Sequence, residues 1–376
     1  MAQPPTSAEA YQRTRTVLLA VITAILSGWA LKATYMVTMP LVLAFFAVIV
    51  LRPLQLWLID RLPGTPRLLS LVLTMLLLVA VLLSFAYALW YSLGLVLAKA
   101  PGYADAAQDL WRELREWARR QELPLQEALL PIREVLGRAL ALFTTGFTNL
   151  WLFTLMLVLF VFLVLLMLLE SEEWYAKLDQ ALGERRAATV LETLASVETK
   201  IRRFLLIKIL ISALSGTAAG VWLWLLDVDF VLLWALMIFL LNFIPNIGSI
   251  VGVFPPSIVA LLQFGPGWAL IVFLGLAAIE QLLGNLVDPR LEGRTLSISP
   301  LVVLVSILFW GWVWGVVGAL IGVLLTSTLV IIFGNIPSLR PIALLLSRAA
   351  PGEALAPAGE APKPSGANRK EMGDAR

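Results

Sequence analysis

The chain has 376 residues, of which 60% are hydrophobic and only 14% charged, with a formal net charge of +3 and a mean hydropathy of +0.89. No soluble domain needs that much apolar sequence, so the long runs read as transmembrane helices. The few basic residues sit at segment ends, as topology signals rather than as a nucleic-acid surface. Cysteine and histidine are both absent, which excludes disulfides, thiolate chemistry, haem ligation, the usual zinc sites and a histidine proton relay. A coupled proton would have to ride on Asp, Glu or Lys.

The expected fold is an all-α polytopic membrane protein with about eight apolar segments, two of them interrupted, and a small helical domain outside the membrane. Residues 1–98 form its N-terminal membrane segments. The stretch before the first apolar run carries Arg13 and Arg15 and places the N-terminus in the cytoplasm. No cleavable signal pattern follows it. Residues 17–31 and 33–51 are apolar and separated only around Lys32, which suggests a helical hairpin with Pro40 kinking its second leg. Arg52, Arg61 and Arg67 mark the return to the cytoplasm.

Residues 68–97 are apolar throughout, roughly 45 Å of helix where a core of about 30 Å has to be crossed, so this helix tilts or projects. Residues 99–149 carry balanced charge, with Trp111, Leu114 and Trp117 at helical spacing. They read as a small outer helical domain whose tryptophans pack. The transport core is expected over 150–340. Within it, residues 150–169 cross inward, and the charged stretch 170–204 reads as a cytoplasmic pair of amphipathic helices. Residues 204–226 cross outward, with Gly216 and Gly220 forming a small-residue face. Asp227 and Asp229 mark the outer end. Residues 341–376, rich in Ala, Pro, Gly and charge, read as a disordered cytoplasmic tail.

The second half is interrupted twice, between 230 and 263 at Pro245 and between 301 and 333 around Gly311–Gly318. Each stretch is either one kinked crossing or a re-entrant hairpin of two half-helices. Arg290 and Arg294 favour hairpins, which put them on the cytoplasmic side, and paired interruptions are the best sequence pointer to a transporter's binding site.

The runs FIPNIGSIVGVFPP, Gly284-Asn285-x-x-Asp288-Pro289-Arg290-x-x-Gly293-Arg294, Ser299-Pro300-Leu301-Val302-Val303 and Phe309-Trp310-Gly311-Trp312 resemble the autoinducer-2 exporter family. The resemblance implies a bacterial cytoplasmic (inner) membrane protein that exports small molecules. Some members are linked to autoinducer-2, others to sodium(lithium)/proton antiport.

Two polar clusters interrupt the apolar sequence. Asn242, Pro245, Asn246 and Gly248 form one: Pro245 removes a helix N–H, Gly248 lets backbones approach, and the Asn side chains either cap exposed groups or line a path. Glu280, Gln281, Asn285 and Asp288 form the other. A carboxylate as deep in a span as Glu280 is a functional-site hypothesis by default, with helix-to-helix pairing as the alternative. On an α-helix Glu280, Gly284 and Asp288 share one face and Gln281 and Asn285 the adjoining one. Pro289 and Arg290 read as a helix end, and Glu292 and Arg294 as a candidate gate. No phosphate-binding loop, HExxH or GxSxG pattern occurs, so no catalytic role and no cofactor is expected. The reading is a secondary transporter and homo-oligomer in the lipid bilayer, exporting a small polar metabolite such as autoinducer-2. H⁺ or Na⁺ is the candidate coupling ion. Cation/proton antiport and a membrane scaffold are the alternatives.

Overall fold

The computed structural model describes residues 7–61, 67–121, 150–182, 184–244, 247–287, 290–291, 299–336 and 339–346. Among these, every regular element is helical, and five helices are long and apolar enough to cross a membrane. α1 (Ser7–Ala33) and α2 (Tyr35–Arg61) meet at Thr34, close to the expected turn at Lys32. Pro40 and Pro53 both lie inside a continuous α2. α3 (Arg67–Arg120) is a single helix of 54 residues, about 80 Å long, against a hydrocarbon core of about 30 Å. Residues 99–120 are its continuation, and residues 122–149 lie outside the described residues. α4 (Leu150–Leu182) and α5 (Glu184–Leu225) flank residue 183, which lies outside the described residues, and the charged stretch 170–204 is helical as the ends of these two long helices.

The first interruption is a hairpin. α6 (Val231–Leu241) runs back along α5 and stops after 11 residues, only about 16 Å. α7 (Ile247–Phe264) then returns to the end it came from, and α8 (Pro266–Leu282) leaves that end again. Gln263 fixes this arrangement, because its Nε2 donates to the Asp227 carbonyl at 3.0 Å and its Oε1 accepts from the Asp229 N–H at 3.0 Å. The α5–α6 and α7–α8 turns therefore share one end of the molecule. Asp229 also receives Lys99 Nζ and the Tyr103 hydroxyl, each at 2.6 Å, which ties α3 to the same end.

The second interruption is also a hairpin. Within α9 (Pro300–Asn335) the helical dihedrals fail at Trp314 and Gly315, and Gly315 takes a φ of 64°, a left-handed value open to glycine. The chain turns there, bringing Gly318 against the Trp310 carbonyl and Gly322 against that of Ser306. Trp310 Nε1 donates across the turn to Thr326 Oγ1 at 3.2 Å. Both feet of α9 lie at the end opposite Asp229, where Lys200 Nζ meets Asn335 Oδ1 at 3.2 Å. The two half-membrane hairpins thus enter from opposite ends, and Ile244 near the first tip packs with Ile307 and Val323 on the legs of the second.

Residues 341–346, expected in the tail, are helical, and residues 347–376 lie outside the described residues. Arg340–Leu346 form α10, which buries Ala343, and the Leu346 carbonyl accepts from the Ser299 N–H at 3.3 Å. This apolar run has a face to bury against α9, which its alanine- and proline-rich continuation lacks.

Each hairpin depends on a glycine that admits the facing backbone. A side chain at Gly248 would strike the Leu241 carbonyl, and one at Gly318 that of Trp310, whereas Gly94 has open space around it. Gly248→Val and Gly318→Val should each destabilise the detergent-purified protein by about 1–3 kcal/mol or more. Gly94→Ala should leave the melting temperature unchanged. Thermal unfolding followed by intrinsic tryptophan fluorescence checks this.

Candidate functional site

Four elements converge on the tip of the first hairpin. α6 packs on α5 where Gly216 and Gly220 meet Ala235 and Phe239, the close-packing role their spacing suggested. The chain then leaves the helix through a tight turn. Among the described residues four of its backbone donors are paired: Asn242 N–H to Ile238 C=O at 3.0 Å, Phe243 to Leu240 at 3.2 Å, Ile244 to Leu241 at 2.8 Å and Gly248 to Ile244 at 3.0 Å. Such internal pairing is what a helix ending inside a bilayer requires.

Asn242 is 8% exposed, and its Nδ2 donates to Ser212 Oγ on α5 at 3.1 Å. Ser212 lies thirteen residues before Leu225, the end of α5, so the tip sits about 20 Å in from the Asp229 end. Gly248 is buried beside it, while Pro245 and Asn246 lie outside the described residues.

Glu280 approaches the same level from α8. Trp222 of α5 lies against Gly275 of α8, and the two helices are antiparallel. Counting on from that contact puts Glu280 at about the level of residue 217, about 7 Å toward the Asp229 end from Ser212, and the turn that follows at about the level of Ser212. Glu280 continues the buried face of Val272 and Leu276 and is itself only 6% exposed. A carboxylate there is buried in the helical interior rather than snorkelling outward.

Past Leu282 the geometry departs from the expected polar stripe. Leu283–Val287 wind as a π-helical turn, which widens the helix and breaks the i, i+4, i+8 register from Glu280 to Asp288. Gln281, on the adjoining face, is exposed. The side chain of Asn285, and Asp288, Pro289, Glu292 and Arg294 as a whole, lie outside the described residues. Arg290 is exposed.

Sequence reasoning missed α5. Lys208, Ser212 and Ser215 are 6%, 0% and 0% exposed and recur on one face of that helix, where Ser212 meets Asn242 at the hairpin tip. The signal was available: a lysine inside an apolar span, followed at i+4 and i+7 by hydroxyls. Among the described residues the structure brings together Asn242 and Gly248 from the expected set with Ser212 of α5, while Glu280, Lys208 and Ser215 are buried on α8 and α5.

The family model of the AI-2E family transporters matches residues 17–338 of the chain. The AI-2 transport protein TqsA of Escherichia coli K12 is 32% identical over 350 residues, 88% of this chain and 94% of its own length. YhhT of the same organism, assigned to transport by name alone, is 30% identical over 314 residues, 82% of this chain and 87% of its own length. A Borreliella burgdorferi protein, likewise assigned to transport only by name, is 37% identical over 196 residues. That alignment covers 52% of this chain and 54% of the relative.

The Asn242–Ser212 bond should be measurable as a coupling. A double-mutant cycle of Asn242→Ala and Ser212→Ala in detergent unfolding is expected to give about 0.6 kcal/mol, and at most about 1.7 kcal/mol. Strict additivity would mean that the bond contributes nothing to stability.

Proposed function

The chain belongs to the AI-2E family of transporters and is a multi-pass membrane transporter, and we propose that it exports a small polar metabolite of the autoinducer-2 type. Supporting this reading is the burial of Glu280 and Asn242 around a hairpin that ends part-way through the protein. Polar groups at such depth are costly and are retained where a substrate or ion must pass. The full-length similarity to a protein named for AI-2 transport narrows the substrate class.

In this proposal the path runs along Asn242, Pro245, Asn246 and Gly248 on one side and Glu280, Asn285 and Asp288 on the other. Gln281, which is exposed, drops out of it. Arg290, Glu292 and Arg294, just past Pro289, serve the gate. The Lys200 end, with Arg52, Arg202 and Arg203 near it, faces the cytoplasm, where both termini lie, and the Asp229 end faces outward. Transport proceeds as the bundle carrying both hairpins shifts against the earlier spans, in a homo-oligomer. The buried Glu280 also favours a second reading, exchange of Na⁺ or Li⁺ for H⁺ on that carboxylate.

One reconstitution separates the two. Sealed proteoliposomes are loaded with autoinducer-2, and its efflux is followed beside proton flux on adding Na⁺ or Li⁺. Export predicts efflux that Glu280→Gln slows by about tenfold or more, through loss of a charge-assisted hydrogen bond. Cation-driven proton flux that the same variant abolishes, without autoinducer-2 efflux, would replace export by antiport.

A further inference from the structure

Along α5 the buried face changes character at mid-height. Toward the Asp229 end it is small or apolar, with Gly216, Ala219, Gly220 and Leu223. Below that, Lys208, Ser212 and Ser215 recur at helical spacing, all within the apolar span and all buried. Several hydroxyls in other spans turn back onto their own helix, although Ser92 and Thr328 are buried without a partner. Ser257, Ser306 and Ser327 each donate to the carbonyl four residues earlier, at 2.8, 2.6 and 2.7 Å. Ser215 does not: its Oγ is fully buried with no hydrogen-bond partner. A hydroxyl in that state costs the fold free energy, so packing alone gives no reason for it.

We infer that Lys208, Ser212 and Ser215 form one wall of a binding site for a small, oxygen-rich molecule of the polyol or hydroxy-carbonyl class. The hairpin tip at Asn242 and the α8 face ending in Glu280 and the π-helical turn form the opposing walls. The inference rests on the export reading and deepens it by assigning groups on a third helix. The donor set fits such a ligand. A lysine ammonium offers three N–H donors to carbonyl or hydroxyl oxygens, and a serine hydroxyl both donates and accepts. The Glu280 carboxylate accepts from hydroxyls. The set holds one buried cation, Lys208, and one buried anion, Glu280, which suits a neutral ligand better than a strong anion. The π-helical turn widens α8 at the level of Ser212, a distortion that recurs at functional sites.

The test measures autoinducer-2 efflux from proteoliposomes across concentrations for wild type, Ser215→Ala and Lys208→Met. Ser215→Ala removes an unsatisfied hydroxyl, so its melting temperature should hold or rise. Its half-saturating concentration should nevertheless increase by about three- to tenfold, and that of Lys208→Met by about tenfold or more. Ser215→Ala is the deciding variant, because it folds whatever becomes of Lys208→Met. An unchanged half-saturation in this variant, beside a transporting wild type, overturns the α5 wall and leaves export standing. A wild type that moves no autoinducer-2 overturns export and this inference together.

Discussion

A helix that stops half-way through a bilayer must find partners for its last carbonyls and first N–H groups without water. Two hairpins here face that requirement from opposite ends, and the rest of the architecture follows from meeting it. The first tip pairs backbone donors within its own turn and sets Asn242 against Ser212. The second closes around Trp314–Gly315, with Trp310 bonded across to Thr326. Neither tip can stand in lipid alone, so each is pressed into packed helices. α5 supplies much of that surface, contacting α2, α4, α6, α8 and α9.

The same constraint explains where polarity is placed. The α5–α6–α7–α8 interior is apolar toward the Asp229 end, with Ala219, Leu223, Val228, Ile238, Val253, Ala260, Val272 and Leu276 closely packed. Near the level of the tip the buried face of α5 turns to Ser215, Ser212 and Lys208, and α8 buries Glu280. The hydrophobic half holds the helices together, and the polar half adds little to stability, since hydrogen bonds between membrane helices average only about 0.6 kcal/mol. Its cost is intelligible as the requirement of a solute path. A separate cluster, Ala44 and Leu71 with Val164 and Leu168, joins α2, α3 and α4 without either hairpin. It provides a body against which a hairpin bundle can move.

Much of this is legible in the residues. Pro245 with Gly248, and the glycines from Gly311 to Gly318, mark both interruptions because a broken helix needs residues that give up an N–H or admit a neighbouring backbone. Gly216 and Gly220 announce their packing face correctly. The polar stripe expected from Glu280 to Asp288 assumes an α-helical register where a π-helical turn intervenes at Leu283–Val287, and no residue type reliably announces one. The helix at Arg340–Leu346 is hidden in the tail because its few apolar residues gain meaning only from the α9 surface beneath them. Lys208 is legible as a charge within a span, yet periodicity marks α5 only as a crossing. Packing alone reveals that its lysine faces inward.

The central claim, that two opposed hairpins meet inside the membrane region, is tested most directly by a distance. The chain contains no cysteine, so Ile244→Cys with Val323→Cys introduces the sole pair of thiols. Oxidation of the purified double variant should join them within one chain, with a yield independent of protein concentration, and mass spectrometry should find the linked peptides. Absence of the link, or a link formed only between copies, would show that the tip of the first hairpin does not lie against the second and would contradict the account.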